Sequence, residues 1–197
     1  MSAGESAEVG DSEGGDGSDL AGAANVLVLS ERLDSDARGS YLEELVAPDL
    51  ANLLVVSFID DPARWLDDWN RFGEPLERAV LVEEVQRDGT GADVERIVEE
   101  PADLTGLGIT ISERLTDWSP DSLLIFESLT VLLEYVDLKR VFRFLHVLVN
   151  RVKATGAVAH YHLDPGEHDG RTVATLTSLF DTVVTYENGR WQASSYP

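Results

Sequence analysis

The sequence predicts an α/β fold: a three-layer, mostly parallel sheet flanked by helices, with a C-terminal β-hairpin. From Asn25 onward, short β-type runs alternate with helical patterns. Most of the β-type runs are predominantly apolar, as strands of a parallel sheet are when helices cover both faces. The dipeptide Asn188-Gly189 between two extended runs favours a two-residue turn and predicts the hairpin.

The first half of the chain contains β-α units. Helices are predicted through Tyr41 up to Pro48, after Asp61-Pro62 with proline as the first helical residue, and after Asp103. Runs rich in valine and leucine predict the strands, at 25–29, 53–57, 79–82 and a short stretch around 97–98.

The second half continues this order. Residues 122–126 predict a central strand, and Ser128 to Thr130 predict a turn after its carboxyl end, where doubly wound sheets bind ligands. Asp137 is a good N-cap for a long helix that reaches Gly156. The remaining elements are a strand at 157–162, a helix at 172–180, and a hairpin formed by 182–186 and the run around Trp191.

A chain of 197 residues and 21.6 kDa has room for one ordinary domain, which we expect to span residues 25–197. Residues 1–24 contain six acids, no bases and a single leucine, Leu20, and are predicted to be a disordered acidic tail. There is no basic and apolar leader and no apolar run of about 20 residues, so we expect a cytoplasmic protein with no membrane contact.

The composition is strongly acidic, with 37 acids, 15 bases and a formal charge of −22. Only two bases are lysines, a bias that resembles proteins of halophilic archaea, where salt screens the repulsion between surface carboxylates. Nucleic acid is not an expected partner, because phosphates require a concentrated basic surface. The absence of cysteine excludes disulfides, thiolate nucleophiles and thiolate metal sites.

Two segments resemble a known family. Residues 121–130 (DSLLIFESLT), the long helix after them and residues 160–169 (HYHLDPGEHD) resemble the second half of the RecA/KaiC-type ATPase core. More narrowly, they are similar to a haloarchaeal group of small KaiC-like proteins of unassigned role. The resemblance implies a RecA/KaiC-like sheet and side-by-side self-association. Glu127 occupies the place of the family's magnesium-binding aspartate, so Glu127, Ser128 and Thr130 are the candidate cofactor-binding residues.

The turn after the first strand departs from that family. A P-loop has the pattern G-x-x-x-x-G-K-[ST], which wraps phosphates in backbone N–H groups and adds a lysine. Residues 30–40 read SERLDSDARGS, in which only Gly39 and Ser40 match, and three acids occupy the phosphate position. Each like-charge pair at about 4 Å costs about 1 kcal/mol even in water. We therefore expect no ATP hydrolysis and no cofactor; the alternative is that Arg32 or Arg38 replaces the lysine.

His160 and His162 form a candidate metal site. Two residues apart on one strand, they point to the same side, with acids just beyond. The pattern H-x-H-x-D is similar to the start of the metallo-β-lactamase motif, but Pro165 stands where that motif continues with histidine. The alternative is that both histidines are hydrogen-bonded to neighbours at the sheet edge.

The long helix carries a basic face, which is the candidate interaction surface. Its members share one side by helical spacing and are Lys139, Arg143, His146 and Lys153. Such a face could dock an acidic partner or the acidic surface of a second subunit. The alternative is an ordinary solvated polar face.

Three functional hypotheses follow. The first is a non-catalytic RecA/KaiC-like domain that acts as a regulatory or scaffolding protein through protein contacts, with a protein partner or itself. The second is a nucleotide-binding protein or weak ATPase that uses Glu127 and an unconventional loop. The third is a metal-dependent hydrolase built on His160 and His162.

Overall fold

The computed structural model describes residues 20, 22–47, 50–59, 61–73, 75–84, 94–118 and 120–195. These residues form eight strands: β1 (Asn25–Leu29), β2 (Asn52–Ser57), β3 (Arg78–Glu83), β4 (Val94–Val98), β5 (Ser122–Glu127), β6 (Val158–Leu163), β7 (Thr182–Glu187) and β8 (Arg190–Ser195). They also form six α-helices: α1 (Ser35–Leu45), α2 (Ala63–Phe72), α3 (Leu104–Trp118), α4 (Leu129–Tyr135), α5 (Leu138–Thr155) and α6 (Gly170–Thr177).

The strands make one sheet in the order β4-β3-β2-β5-β6-β1-β7-β8. All neighbouring pairs are parallel except β7 and β8, which form the hairpin. Both turn residues of the hairpin have positive φ, 53° at Asn188 and 76° at Gly189, as its two-residue connection requires. The predicted α/β class, the mostly parallel sheet and the C-terminal hairpin are confirmed.

Helices cover both faces of the sheet, because the strands bury apolar side chains alternately on each side. On one face, Leu124 and Phe126 of β5 join a core cluster with α3 and α5. On the other face, Leu123 and Ile125 join a cluster with α1 and α2. The histidines of β6 are paired in register with Val26 and Val28, so they face the layer of α1 and α2.

The long helix α5 agrees with the prediction at both ends. Its N-cap Asp137 accepts a hydrogen bond from the Arg140 backbone N–H at 3.1 Å. Gly156 ends the helix with φ of 73°, a conformation that glycine adopts without strain.

Three boundaries differ from the prediction. Helix α2 begins at Ala63, because Asp61 Oδ1 accepts from the Ala63 N–H and leaves Pro62 as the capping residue. The predicted turn at Ser128 to Thr130 is instead the start of α4: Ser128 caps it through the Val131 N–H. Helix α6 begins at Gly170 because Asp169 accepts from Thr172 N–H, and it ends at Thr177, before the predicted end at Phe180.

The predicted acidic tail over residues 1–24 lies mostly outside the described residues. Within them, Leu20 and Ala23 pack against the core cluster under α1, and the Ala24 carbonyl accepts from Ala159 N–H at the start of β6. No helix in the described ranges is long and apolar enough to cross a membrane.

Candidate functional site

The carboxyl ends of β5, β6 and β1 are neighbours at one edge of the sheet, where parallel α/β folds bind ligands. A cavity of about 100 Å³ lies at this edge. Its lining comes from the turn after β1, the end of β5, the start of α4 and the end of β6, and includes Ser30, Glu127, Ser128, Thr130 and His162. The topology thus brings the three candidate cofactor residues together with one of the two candidate metal-binding histidines.

Glu127 is at the centre of this edge and is held by two side chains of α2. It is 3% exposed. The Trp65 indole N–H donates to Oε2 at 2.7 Å, and Nη2 of Arg64 lies 2.5 Å from Oε1. Burial opposes ionisation, but His162, Arg64 and the Trp65 hydrogen bond together hold the pKa of Glu127 below its ordinary value. Each carboxylate oxygen therefore already has a partner within the protein.

The two candidate hydroxyls also contact the backbone. Ser128 Oγ accepts from Val131 N–H at 3.3 Å and caps α4. Thr130 Oγ1 accepts from Asp164 N–H at 2.9 Å and ties α4 to the loop after β6. Both hydroxyls serve to shape the rim of the cavity.

His160 and His162 lie on the same side of β6, as the sequence predicts, and both are buried. The Tyr41 hydroxyl is 2.5 Å from Nδ1 of His160. Burial raises the pKa of Tyr41 well above its ordinary value and lowers the pKa of His160 to about 3, so the tyrosine keeps its proton and the imidazole is neutral. The hydrogen bond therefore joins two neutral groups, the Tyr41 hydroxyl and the His160 imidazole.

His162 packs between aromatic rings. Its ring centroid is 5.4 Å from that of Tyr41 and 5.3 Å from that of Trp65. Burial lowers the pKa of His162 to about 4, although Glu127 acts in the opposite direction. Among the described residues, no group of three or more histidine, aspartate or glutamate side chains has the arrangement of a metal site.

The turn after β1 leads directly into α1, whose side chains are used internally. Asp34 caps the helix through the Ala37 N–H at 2.9 Å. Arg38 is buried, with Nε 2.6 Å from Oδ2 of Asp68 and Nη1 donating to the Leu33 carbonyl at 2.8 Å. Arg38, one of the two residues considered as a replacement for the P-loop lysine, is therefore paired with a carboxylate of α2.

Gly39 and Ser40, which matched the P-loop pattern, are interior residues of α1. A Cβ at Gly39 would lie 2.8 Å from the Phe72 ring, so the glycine permits close packing of α1 against α2. The Ser40 hydroxyl donates to the Ala37 carbonyl at 3.1 Å and accepts from Trp191 Nε1 at 3.0 Å.

A second carboxylate at the same sheet edge is also paired with an arginine. Glu83 ends β3 and is fully buried. Arg96 of β4 donates from Nη1 to Glu83 at 2.8 Å and from Nη2 to Asp61 at 3.1 Å. The sequence alone does not identify Arg64, Trp65 or Arg96 as site residues, because a single sequence does not show which strands are neighbours.

The basic residues predicted on α5 separate into different environments. Lys139 is exposed. Arg143 lines a groove between α3 and α5. His146 is exposed and stacks on Phe142, with an interplanar angle of 11°. Lys153 Nζ lies 2.6 Å from Asp181. The four residues do not form one unpaired patch.

The groove between α3 and α5 has a volume of about 990 Å³ and is larger than the cavity at the sheet edge. Two of its apolar residues are largely exposed, Ile109 at 54% and Val147 at 70%. Ile109 and Val147 were not among the residues singled out from the sequence, because they lie on the outer sides of both helices.

These features define an α/β protein whose parallel sheet has its carboxyl edge filled by ion pairs and aromatic side chains. The chain belongs to a family of unknown function, DUF7504, whose model matches residues 23–186. It is also similar to a solved structure from Pyrococcus horikoshii OT3, titled "Structural study of Project ID PH0250", with 13% identity and a TM-score of 0.58 over 88% of this chain and 86% of that chain. At this identity the likeness shows the fold alone. None of the curated proteins matches the chain.

Proposed function

We propose that this protein is a non-catalytic domain of RecA/KaiC-like ancestry that acts by binding proteins, as a regulatory or scaffolding subunit. The proposal rests on the resemblance of residues 121–130 and 160–169 to the RecA/KaiC core, combined with the contacts that Glu127 makes within the protein. By that resemblance, Glu127 stands at the position of the metal-binding acid of RecA/KaiC proteins. Its carboxylate is held by Arg64 and Trp65. The pairing of Glu127 with Arg64 and Trp65 is the observation that carries the proposal.

A catalytic magnesium ion would need oxygen ligands that are free to approach it. Releasing Glu127 would break its buried ion pair with Arg64 and its hydrogen bond with Trp65, and breaking a buried ion pair costs about 3–5 kcal/mol. A phosphate group would also need backbone N–H donors and positive charge. The turn after β1 instead leads into α1, where the side chain of the N-cap Asp34 already accepts from the Ala37 N–H.

The volume of the cavity at the sheet edge also argues against a bound nucleotide. The cavity there measures about 100 Å³. Pockets for ligands the size of a nucleotide measure roughly 300–1,000 Å³. A nucleotide would have to displace the turns that line the cavity, among them the turn after β1, which leads into α1. The Arg38–Asp68 pair ties α1 to α2, and the Tyr41–His160 hydrogen bond ties α1 to β6.

A metal-dependent hydrolase built on His160 and His162 has less support, because the Nδ1 atom of His160 is engaged by Tyr41 and both rings are buried among aromatic side chains. A protein-binding role, by contrast, suits the exposed apolar residues of the α3–α5 groove. The charge of −22 supports a salt-rich cytoplasm, such as that of a halophilic archaeon, as the setting.

Calorimetric titration with Mg-ATP in molar KCl tests the proposal, alongside a phosphate-release assay. We expect no saturable heat and no phosphate above the level of a protein-free blank. The variant Glu127→Gln should behave as the wild type in both assays. Phosphate release that Glu127→Gln abolishes would refute a non-catalytic function, and saturable binding in the micromolar range would favour a nucleotide-binding protein over the proposed protein-binding domain.

A further inference from the structure

The groove between α3 and α5 is formed by two helices that run in the same direction. Gly108 of α3 lies beside Phe144 of α5, where a Cβ would be 3.5 Å from the ring. About two turns further along both helices, Arg151 donates to Thr116 Oγ1. The groove therefore has one end near the N-termini of both helices and another end near their C-termini.

The middle of the groove is apolar. Ile109 and Val147 project from the two helices and are 54% and 70% exposed, and Phe144 packs between them and the core. Large exposed aliphatic side chains on adjacent helices, rimmed by charge, are typical of protein interaction sites.

The two ends carry opposite charge. Arg140 and Arg143 of α5 line the N-terminal end, whereas Glu113 and Asp117 of α3 line the C-terminal end. In the described part of the chain, none of these four side chains forms an ion pair within the protein. The groove lining also includes Arg114, whose charge is paired with Glu95 at 2.8 Å, and Arg151, which keeps its charge while donating to the neutral Thr116 hydroxyl. Glu113 and Asp117 together outweigh that one charge, so the C-terminal end is net negative.

We propose that the α3–α5 groove is the interface between two copies of this chain, related by a two-fold axis that passes between its two ends. Such an axis exchanges the ends, so that Arg140 and Arg143 of each copy face Glu113 and Asp117 of the other, while the apolar middles meet. The inference rests on the proposed function and names its partner as a second copy.

A second copy fits this groove better than an acidic partner. An acidic segment would satisfy the arginine end but would bring further negative charge to Glu113 and Asp117. A basic segment would have the reverse problem. The same chain, turned over, is complementary to both ends at once.

The net charge makes the interface dependent on salt. Two copies that each carry −22 repel one another at low ionic strength. At about 1 M salt the Debye length falls to about 3 Å, which screens this long-range repulsion, while apolar contact is retained. We therefore expect the dimer to be stronger in molar KCl than in dilute buffer.

Size-exclusion chromatography with light scattering, on the full chain in molar KCl over a range of concentrations, tests the interface. We expect a mass of twice 21.6 kDa for the wild type and a single-chain mass for Val147→Glu. The matched control is Val98→Glu, the same change at an apolar residue of β4 that is 47% exposed and lies outside the groove, and it should remain dimeric. Circular dichroism checks that each variant is folded.

A charge swap tests the pairing itself. Arg143→Glu and Glu113→Arg should each raise the dimer dissociation constant about tenfold or more, and the double variant should restore most of the affinity. The rescue keeps the test decisive even if Val147→Glu fails to fold. A wild type that is monomeric at every concentration, a dimer that persists in folded Val147→Glu, or a double variant no better than the singles would overturn the interface.

The two proposals fail separately. A monomer that does not bind Mg-ATP overturns the dimer and leaves the non-catalytic function standing. A dimer that binds Mg-ATP with micromolar affinity overturns the proposed function and leaves the dimer interface standing.

Discussion

The indole nitrogen of Trp65 lies 2.7 Å from Oε2 of Glu127, so a residue of α2 holds the carboxylate at the end of the central strand β5. On the other oxygen, Arg64 makes an ion pair at 2.5 Å. The residue that the sequence offered as a ligand for magnesium is therefore part of the packing between α2 and the sheet.

Removing the Trp65 indole N–H should lower the free energy of unfolding, because Glu127 then loses a hydrogen bond. Trp65→Phe and Glu127→Met, made singly and together, form a double-mutant cycle. Each single change leaves a buried polar partner unsatisfied, so we expect a coupling energy of about 1–3 kcal/mol. Urea unfolding in molar KCl provides the free energies. A coupling energy near zero would mean that the hydrogen bond does not stabilise the protein.

The buried pair Arg38–Asp68 should be sensitive to loss of one partner. Asp68→Ala leaves the Arg38 guanidinium buried without its carboxylate, which we expect to cost about 3–5 kcal/mol. The double variant Arg38→Met/Asp68→Leu should recover part of that loss, because no charge then remains buried. Thermal and urea unfolding check both; a double variant less stable than Asp68→Ala would argue against this account.

Stability should fall in acid because of the two buried histidines. Their pKa values are lowered to about 3 for His160 and about 4 for His162, with burial as the main cause, against about 6.5 in an unfolded chain. Between these values the unfolded state binds more protons, so the histidine contribution is complete above pH 6.5 and is lost as the pH falls toward 4 and then 3. We expect a loss on the order of 1 kcal/mol per pH unit per histidine.

The slope of unfolding free energy against pH between 6.5 and 4.5 measures this effect. His162→Gln should reduce the slope by about one proton relative to the wild type. His146→Gln, at an exposed histidine of α5, is the matched control. If both variants keep the wild-type slope, the acid sensitivity comes from other groups.

Two glycine substitutions should have different effects although both lie inside helices. Gly39→Ala brings a Cβ within 2.8 Å of the Phe72 ring, whereas Gly108→Ala meets Phe144 at an ordinary 3.5 Å. Alanine gains about 1 kcal/mol of helix propensity over glycine at either position, but overpacking costs about 1–3 kcal/mol at Gly39 alone. We expect Gly108→Ala to be the more stable variant in urea unfolding, and the reverse order would contradict the close packing of α1 on α2.

The sequence predicts best those features that depend on neighbouring residues. Helix α5 was predicted correctly because its signals, Asp137 and Gly156, lie at its own ends. The parallel sheet and the hairpin follow from local apolar runs and from Asn188-Gly189. Helix α4 was missed, because seven residues are too few to show a helical period and Ser128 suits a turn as well as a cap.

The chemistry of the site was less predictable. Arg64 and Trp65 are more than sixty residues from Glu127 in sequence, and only the adjacency of β2 and β5 brings them together. The same holds for Tyr41 and His160, which are separated by 119 residues. The sequence shows that residues 30–40 lack the P-loop pattern, but not which side chains contact one another at this edge of the sheet.

A crystal structure grown with Mg²⁺ and a non-hydrolysable ATP analogue, in molar KCl, tests the central claim most directly. We expect Glu127 to remain on Trp65 and Arg64, and the turn from Ser30 to Asp34 to carry no analogue. A structure in which the analogue's phosphates contact that turn while Glu127 swings away from Arg64 toward the metal would contradict the account.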